Sequence, residues 1–111
     1  MLRLIILSIT VFASSAVLAA EWSQFRGPGG NGSSDEAAPI SWGANKNIVW
    51  KTKLTGRGAS SPIVWRDRIF LTGYSGYGIS NDENATKADL KLHVMSFDRN
   101  TGSQLWNKSI A

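Results

Sequence analysis

Short apolar runs separated by turn residues are the feature that most restricts how this 111-residue chain can fold. Beyond residue 47 these runs are rich in β-branched and aromatic side chains and are bounded by Gly, Pro, Asn or Asp. That pattern is typical of β-strands. We therefore predict an all-β domain with strands near residues 48–54, 62–65, 68–72, 91–97 and 104–110.

Two of the predicted strands carry consecutive apolar residues, at 63–65 and at 69–71. Such runs fit a sheet that is covered on both faces, because a sheet with one wet face shows alternating apolar and polar residues. A single four-stranded sheet cannot cover both of its own faces. Radial stacking of similar sheets solves this problem in β-propellers.

The first residues have the three-part layout of a secretory signal peptide. Arg3 precedes an apolar run from Leu4 to Phe12, and small residues follow as far as Ala20. The pattern predicts a signal peptide over residues 1–19, cleaved after about Ala19, and a periplasmic or secreted protein. The alternative is an uncleaved membrane anchor, although a span usually needs about 20 apolar residues. No other segment is apolar enough, so no stable membrane span is expected.

Charge and cysteine content narrow the possible partners. Removing residues 1–19 takes away Arg3 and no acidic residue, which lowers the formal charge from +4 to +3. The basic residues are scattered and form no run, so the sequence does not predict nucleic-acid binding. The chain has no cysteine, which excludes thiolate metal sites and a cysteine-attached haem within these residues.

Residues 20–47 form a leader rich in Gly, Ser, Asn and Pro with little apolar periodicity. It nevertheless contains Trp22, Phe25 and Trp42. Large aromatic side chains bury about 150 to 250 Å² each. We therefore predict an ordered leader that docks on another surface through these three side chains.

The most informative segment runs from residue 96 to residue 106. It resembles the tryptophan-docking repeat of pyrroloquinoline-quinone-type (PQQ-like) propellers, in which a small residue, an Asp, a Thr-Gly pair and a Trp recur at fixed spacing. The matching positions are Ser96, Asp98, Thr101, Gly102 and Trp106. Physically, Asp98 can hold a turn through local hydrogen bonds and Gly102 can adopt the positive φ that closes a hairpin.

A second resemblance covers nearly all of the chain beyond residue 19. The opening motif is similar to that of a large set of secreted bacterial PQQ-like (quinoprotein alcohol dehydrogenase-like) proteins, and a later match spans residues 60–72. The motif residues are Trp22, Gln24, Phe25, Arg26, Gly27 and Pro28.

The resemblance implies a β-propeller of PQQ-repeat type. Trp50 would lie on a closing outer strand of the last blade, Pro62–Ile110 would form the first four-stranded blade, and Trp106 would pack against the neighbouring blade. An eight-bladed ring at about 40 to 50 residues per blade needs several hundred residues. We therefore expect an N-terminal fragment that contains the closing strand and the first blade, with a tendency to self-associate.

No residue of this chain is predicted to be catalytic, cofactor-binding or metal-binding. The resemblance places the quinone, metal and base residues of such enzymes in later blades, so pyrroloquinoline quinone and calcium are expected only in a full-length homologue. Asp82, Asn84, Thr86 and Asp89 faintly resemble a calcium loop but lack its required Gly and Glu. His93 is interpreted as an ordinary strand residue without a catalytic or metal-binding role.

Two functional classes remain. The first is a noncatalytic exported propeller that binds protein partners, or the missing blades of its own ring, as a scaffold. The second is the N-terminal part of a quinone-dependent alcohol or sugar dehydrogenase. We favour the first, because docking repeats without any metal signal suffice for a scaffold.

Overall fold

The computed structural model describes residues 21–79 and 84–111. The predicted signal peptide lies outside the described residues. Within them, four strands form one antiparallel sheet in the order β1-β2-β3-β4. The strands are β1 (Ile63–Trp65), β2 (Arg68–Ser75), β3 (Lys91–Asp98) and β4 (Gln104–Ile110), and a short 3-10 helix (Lys87–Asp89) precedes β3. The all-β prediction is confirmed. No described helix has the length and apolar character needed to cross a membrane.

The register assigns each side chain to one of two faces. Residues directly opposite each other on antiparallel strands share a face, and successive residues alternate between faces. His93 lies opposite Gly73 and Ser109, whereas Ser96 lies opposite Phe70 and Trp106. The sheet therefore has a His93 face and a Ser96 face. A register shift between Ser96 and Phe97 marks a β-bulge near the end of β3.

The core lies on the His93 face. Met95 and Phe97 are each only 1% exposed. Residues 50–60, which we call the covering segment, lie over this face and over the edge of β2. Within the covering segment, Arg57 exchanges two backbone hydrogen bonds with Tyr74, of 2.9 and 2.7 Å. Arg57 thereby continues the edge of the sheet beyond Ile63, the first residue of β1. Covering this face is what takes the Met95 and Phe97 side chains out of water.

The predicted strand at 48–54 does not form. No residue from 48 to 54 belongs to a strand, although Trp50 does reach the sheet through its side chain. A strand is defined by backbone hydrogen bonds to a neighbouring strand, and none lies beside this segment in the part of the chain that the structure describes. The prediction of a strand at residues 48–54 is therefore wrong.

Of the three leader aromatics, Trp22 docks on the sheet, whereas Phe25 and Trp42 find no docking surface among the described residues. Trp22 is half-buried, and its backbone N–H and C=O both pair with Val64 at 2.9 Å, along the free edge of β1. Phe25 and Trp42 are each 72% exposed. The described residues offer Phe25 and Trp42 too little apolar surface, because the leader is built from local turns.

Candidate interaction surface

The turn between β3 and β4, residues 98–102, is held by one carboxylate. Asp98 Oδ1 accepts the backbone N–H groups of Asn100 at 2.9 Å and Thr101 at 2.8 Å, and the Thr101 hydroxyl at 3.0 Å. The Gly102 N–H donates to the Asp98 carbonyl at 2.9 Å. Asp98 therefore plays the turn-holding part that the motif predicts, and we call residues 98–102 the docking turn.

Hydrogen bonds also set the charge state of this turn. The backbone N–H of Thr101, followed by its hydroxyl, lowers the pKa of Asp98 below its ordinary value of 3.8. Donors that point at a carboxylate stabilise its ionised form. Asp98 thus remains a charged acceptor at neutral pH, which keeps the turn in one conformation.

The docking turn receives a tryptophan from a distant part of the chain. The Trp50 indole Nε1 donates to the Arg99 carbonyl at 2.9 Å. Gly102 has a φ of 72°, and a Cβ atom there would collide with the Trp50 ring. The indole ring therefore lies against the glycine, which explains why this position has no side chain. The Arg99 carbonyl acceptor and the flat apolar contact at Gly102 together make this turn a specific receptor for an indole.

Trp106 lies in β4, in the strand predicted near residues 104–110. β4 is an edge strand of the sheet, and Trp106 is half-buried. Its ring lies 6.1 Å from the Phe70 ring at an interplanar angle of 51°. Trp106 stands on the Ser96 face, on the opposite side of the sheet from the buried core.

The Ser96 face carries a row of exposed apolar side chains, and we call it the open face. Ile63 is 38% exposed, Leu92 54%, Val94 39% and Ile110 65%. A shallow, largely apolar cleft of about 410 Å³ runs beside Tyr74, Leu92 and Val94. Contiguous exposed apolar surface of this kind marks an interaction site in soluble proteins.

Ser96 lies at the centre of the open face. It is fully buried beside its cross-strand neighbours Phe70 and Trp106, and its hydroxyl has no hydrogen-bond partner among the described residues. A buried hydroxyl without a partner is destabilising. The small Ser96 side chain therefore contributes by packing beside Phe70 and Trp106, and it makes no hydrogen bond among the described residues.

His93 lies in a strand, as the sequence predicts, and its side chain is buried. It is 6% exposed; its Nε2 lies 2.7 Å from Ser75 Oγ and its Nδ1 lies 3.2 Å from Asn107 Oδ1. The Asn107 amide donates in turn to Thr55 Oγ1 at 3.3 Å. This chain of hydrogen bonds ties three strands to the covering segment.

The opening motif folds into a compact loop. Gln24 Nε2 donates to the carbonyls of Gly27 at 3.0 Å and Pro28 at 3.2 Å. Gly27 is buried with a φ of 78°, and a Cβ atom there would lie 2.7 Å from the Trp22 ring. Arg26 also has a positive φ, of 64°, while Phe25 points into solvent. The motif thus builds a loop that presents Trp22 to the edge of β1.

Among the residues that resemble a calcium-binding loop, Thr86 and Asp89 make local hydrogen bonds with each other. Asp82 lies outside the described residues. The Asp89 carboxylate accepts the backbone N–H and the hydroxyl of Thr86, both at 2.8 Å, and these bonds lower the pKa of Asp89. Asp89 therefore caps the 3-10 helix. No group of three or more potential metal-ligating side chains occurs among residues 21–79 and 84–111.

Comparisons with known protein families, with curated proteins and with solved structures found no match for this chain.

Proposed function

We propose that this chain is part of an exported, noncatalytic β-propeller of PQQ-repeat type with a binding or scaffold role in protein interactions. The observation that carries the proposal is the Trp50 contact with the docking turn, where the indole lies on Gly102 and donates to the Arg99 carbonyl at 2.9 Å. The contact joins residues far apart in sequence through one side chain. A repeat that joins one sheet to the next needs a contact of this kind.

The open face supports the same proposal. Its exposed side chains, Ile63, Leu92, Val94 and Ile110, are too apolar for a surface that stays in water. A second sheet stacked on this face would cover them, and a docking turn on that sheet would receive Trp106 as turn 98–102 receives Trp50. Blades of a propeller are stacked in this way.

Size-exclusion chromatography of the full chain tests the stacking. Without a neighbouring sheet, the open face should drive concentration-dependent self-association, and Val94→Lys should shift the chain towards the monomer. Lys53→Glu, which also changes the charge but lies on the exposed covering segment away from the open face, is the control. A wild-type chain that stays monomeric at all concentrations would contradict the stacking proposal.

Intact mass after bacterial expression tests export. We expect a periplasmic species that lacks residues 1–19. A membrane fraction that retains the full mass would instead support the uncleaved anchor.

Near-ultraviolet circular dichroism with added pyrroloquinoline quinone and calcium separates the two functional classes when it is measured on a full-length homologue, because the resemblance places the quinone and metal residues in later blades. The scaffold proposal predicts an unchanged tryptophan spectrum. A saturable spectral change that needs both additives would favour the quinone-dependent dehydrogenase.

A further inference from the structure

One end of the sheet carries arginines beside an exposed tryptophan. The β1–β2 hairpin turns through Arg66 and Asp67. The docking turn lies beside this hairpin turn, because the Arg99 N–H donates to the Asp67 carbonyl at 2.9 Å. The Arg99 guanidinium reaches the Arg66 carbonyl at 3.4 Å. Two turns that are distant in sequence are thereby fixed side by side, and we call Trp65, Arg66 and Arg99 the arginine tip.

The arginine tip has the chemistry of a binding site for carboxylates. Trp65 is 47% exposed, and the Arg66 guanidinium carbon lies 6.0 Å from the centre of its ring. The only ion pair between described residues joins Arg68 to Asp67 at 4.0 Å, so Arg66 and Arg99 form none there. Asp98, the other nearby carboxylate, already accepts three hydrogen bonds inside its own turn.

Backbone geometry holds this arrangement in place. Arg66 has a φ of 54°, a left-handed conformation that non-glycine residues seldom adopt. The backbone bond from Arg99 to Asp67 ties the hairpin turn to the docking turn. Ordering the tip on binding therefore costs little for the backbone, which favours affinity.

From these contacts we propose that the arginine tip binds an acidic segment of a partner protein that also carries an apolar side chain. The guanidinium groups of Arg66 and Arg99 would bind carboxylates through bidentate hydrogen bonds. Trp65 would contact the apolar side chain of the partner segment. Tryptophan and arginine are the residues that contribute most to binding energy at protein interfaces. The inference rests on the proposed binding role and names the surface and the partner chemistry.

Fluorescence anisotropy tests this proposal with the full chain and a defined probe. The probe is a short fluorescein-labelled peptide of glutamate and glycine with one central leucine, and its control has glutamine in place of glutamate. We expect binding of the glutamate peptide that weakens with added salt, because exposed charges are screened. Equal binding of the two peptides, or no binding of either, would overturn the proposal.

Variants locate the binding on the tip. Arg66→Asn removes the charge and tolerates the positive φ, and should weaken binding about tenfold, the loss of one charge-assisted contact. Arg57→Asn is the matched control, since Arg57 is an exposed arginine beside Tyr74, at the other end of β2. Trp65→Ala should weaken binding to a similar degree. If Arg57→Asn and Arg66→Asn weaken binding equally, the interaction is unspecific charge attraction and the proposal fails.

The two proposals fail in different ways. None of these substitutions changes Trp50, Gly102 or the Arg99 carbonyl. Loss of the acidic-peptide interaction with unaltered self-association would reject only the arginine tip. A chain that neither self-associates nor responds to Val94→Lys would reject the stacking proposal while leaving peptide binding measurable.

Discussion

The two faces of the sheet have similar sequence character but different surroundings. On the His93 face, Met95 and Phe97 are almost fully buried beneath the covering segment, which the Trp50 contact and the Asn107–Thr55 bond attach to the sheet. On the open face, Leu92 and Val94 of the same strand are exposed. The comparison shows that burial here depends on having a segment that covers the face, since both sets of residues are apolar.

Truncation on each face gives the largest expected contrast. Met95→Ala should lower the free energy of unfolding by about 3 to 4 kcal/mol, because it leaves a cavity in a packed site. Leu92→Ala, on the open face of the same strand, should cost less than about 1 kcal/mol, as surface substitutions usually do. Urea denaturation measures both. Equal costs would mean that the open face is covered in solution.

Substitution of the docking glycine should detach the covering segment. Gly102→Ala combines an unfavourable positive φ with a collision with the Trp50 ring, and should cost about 2 to 3 kcal/mol. Gly78→Ala is the matched control, since Gly78 has a φ of 77° but a Cβ atom there would meet no atom of the described residues within 4 Å. It should cost only the backbone strain, about 1 kcal/mol. Chemical denaturation compares the two variants, and an equal loss of stability would mean that the indole contact contributes nothing.

Acid should weaken the docking turn through Asp98. Its pKa in the folded chain lies below the ordinary value of 3.8 because of the Thr101 and Asn100 donors. The stabilisation is therefore complete above about pH 4 and is lost as the pH falls through the lower, folded pKa. Melting temperatures between neutral and acid pH should show a smaller acid-induced decrease for Asp98→Asn than for the wild type. Asp35→Asn, an exposed leader substitution, serves as control, and an identical decrease in both variants would contradict this role.

Substitution of Ser96 should give the smallest change in stability, and the sign of that change tells whether the buried hydroxyl is hydrogen-bonded. Ser96→Ala removes a buried hydroxyl without a partner among the described residues, so stability should stay constant or rise by up to about 1 kcal/mol. Thermal unfolding measures the change. A clear loss of stability would show that the hydroxyl is hydrogen-bonded after all, and that the centre of the open face differs from the apolar surface described here.

Local sequence signals were enough to predict four of the five expected strands and the turn between β3 and β4, whereas the strand predicted at 48–54 does not form. The predicted strands near 62–65, 91–97 and 104–110 differ from β1, β3 and β4 by one residue at most, and β2 extends three residues beyond its predicted end. The extension occurs because Gly73, Tyr74 and Ser75 pair with the first residues of β3. The Asp98 and Gly102 roles followed from turn chemistry alone, which acts over a few residues.

The arginine tip and the hydrogen bonds of His93 were not predicted, because each joins residues far apart in the sequence. A signal did exist for the tip, in the Trp65-Arg66 pair at a predicted hairpin turn. Nothing in the sequence, however, placed Arg99 beside that pair. His93 was correctly interpreted as a strand residue, but its contacts with Ser75 and Asn107 depend on strand register.

By itself the sequence determined the all-β class, the positions of the four strands that form and the docking turn, because alternation of side chains and turn geometry are properties of neighbouring residues. Only the tertiary structure decided which face of the sheet is covered, that Trp50 reaches the docking turn without a strand, and that Phe25 and Trp42 stay in solvent. These outcomes depend on where distant segments meet. Apolar character states that a side chain favours burial, whereas the surface that buries it is supplied by another part of the fold.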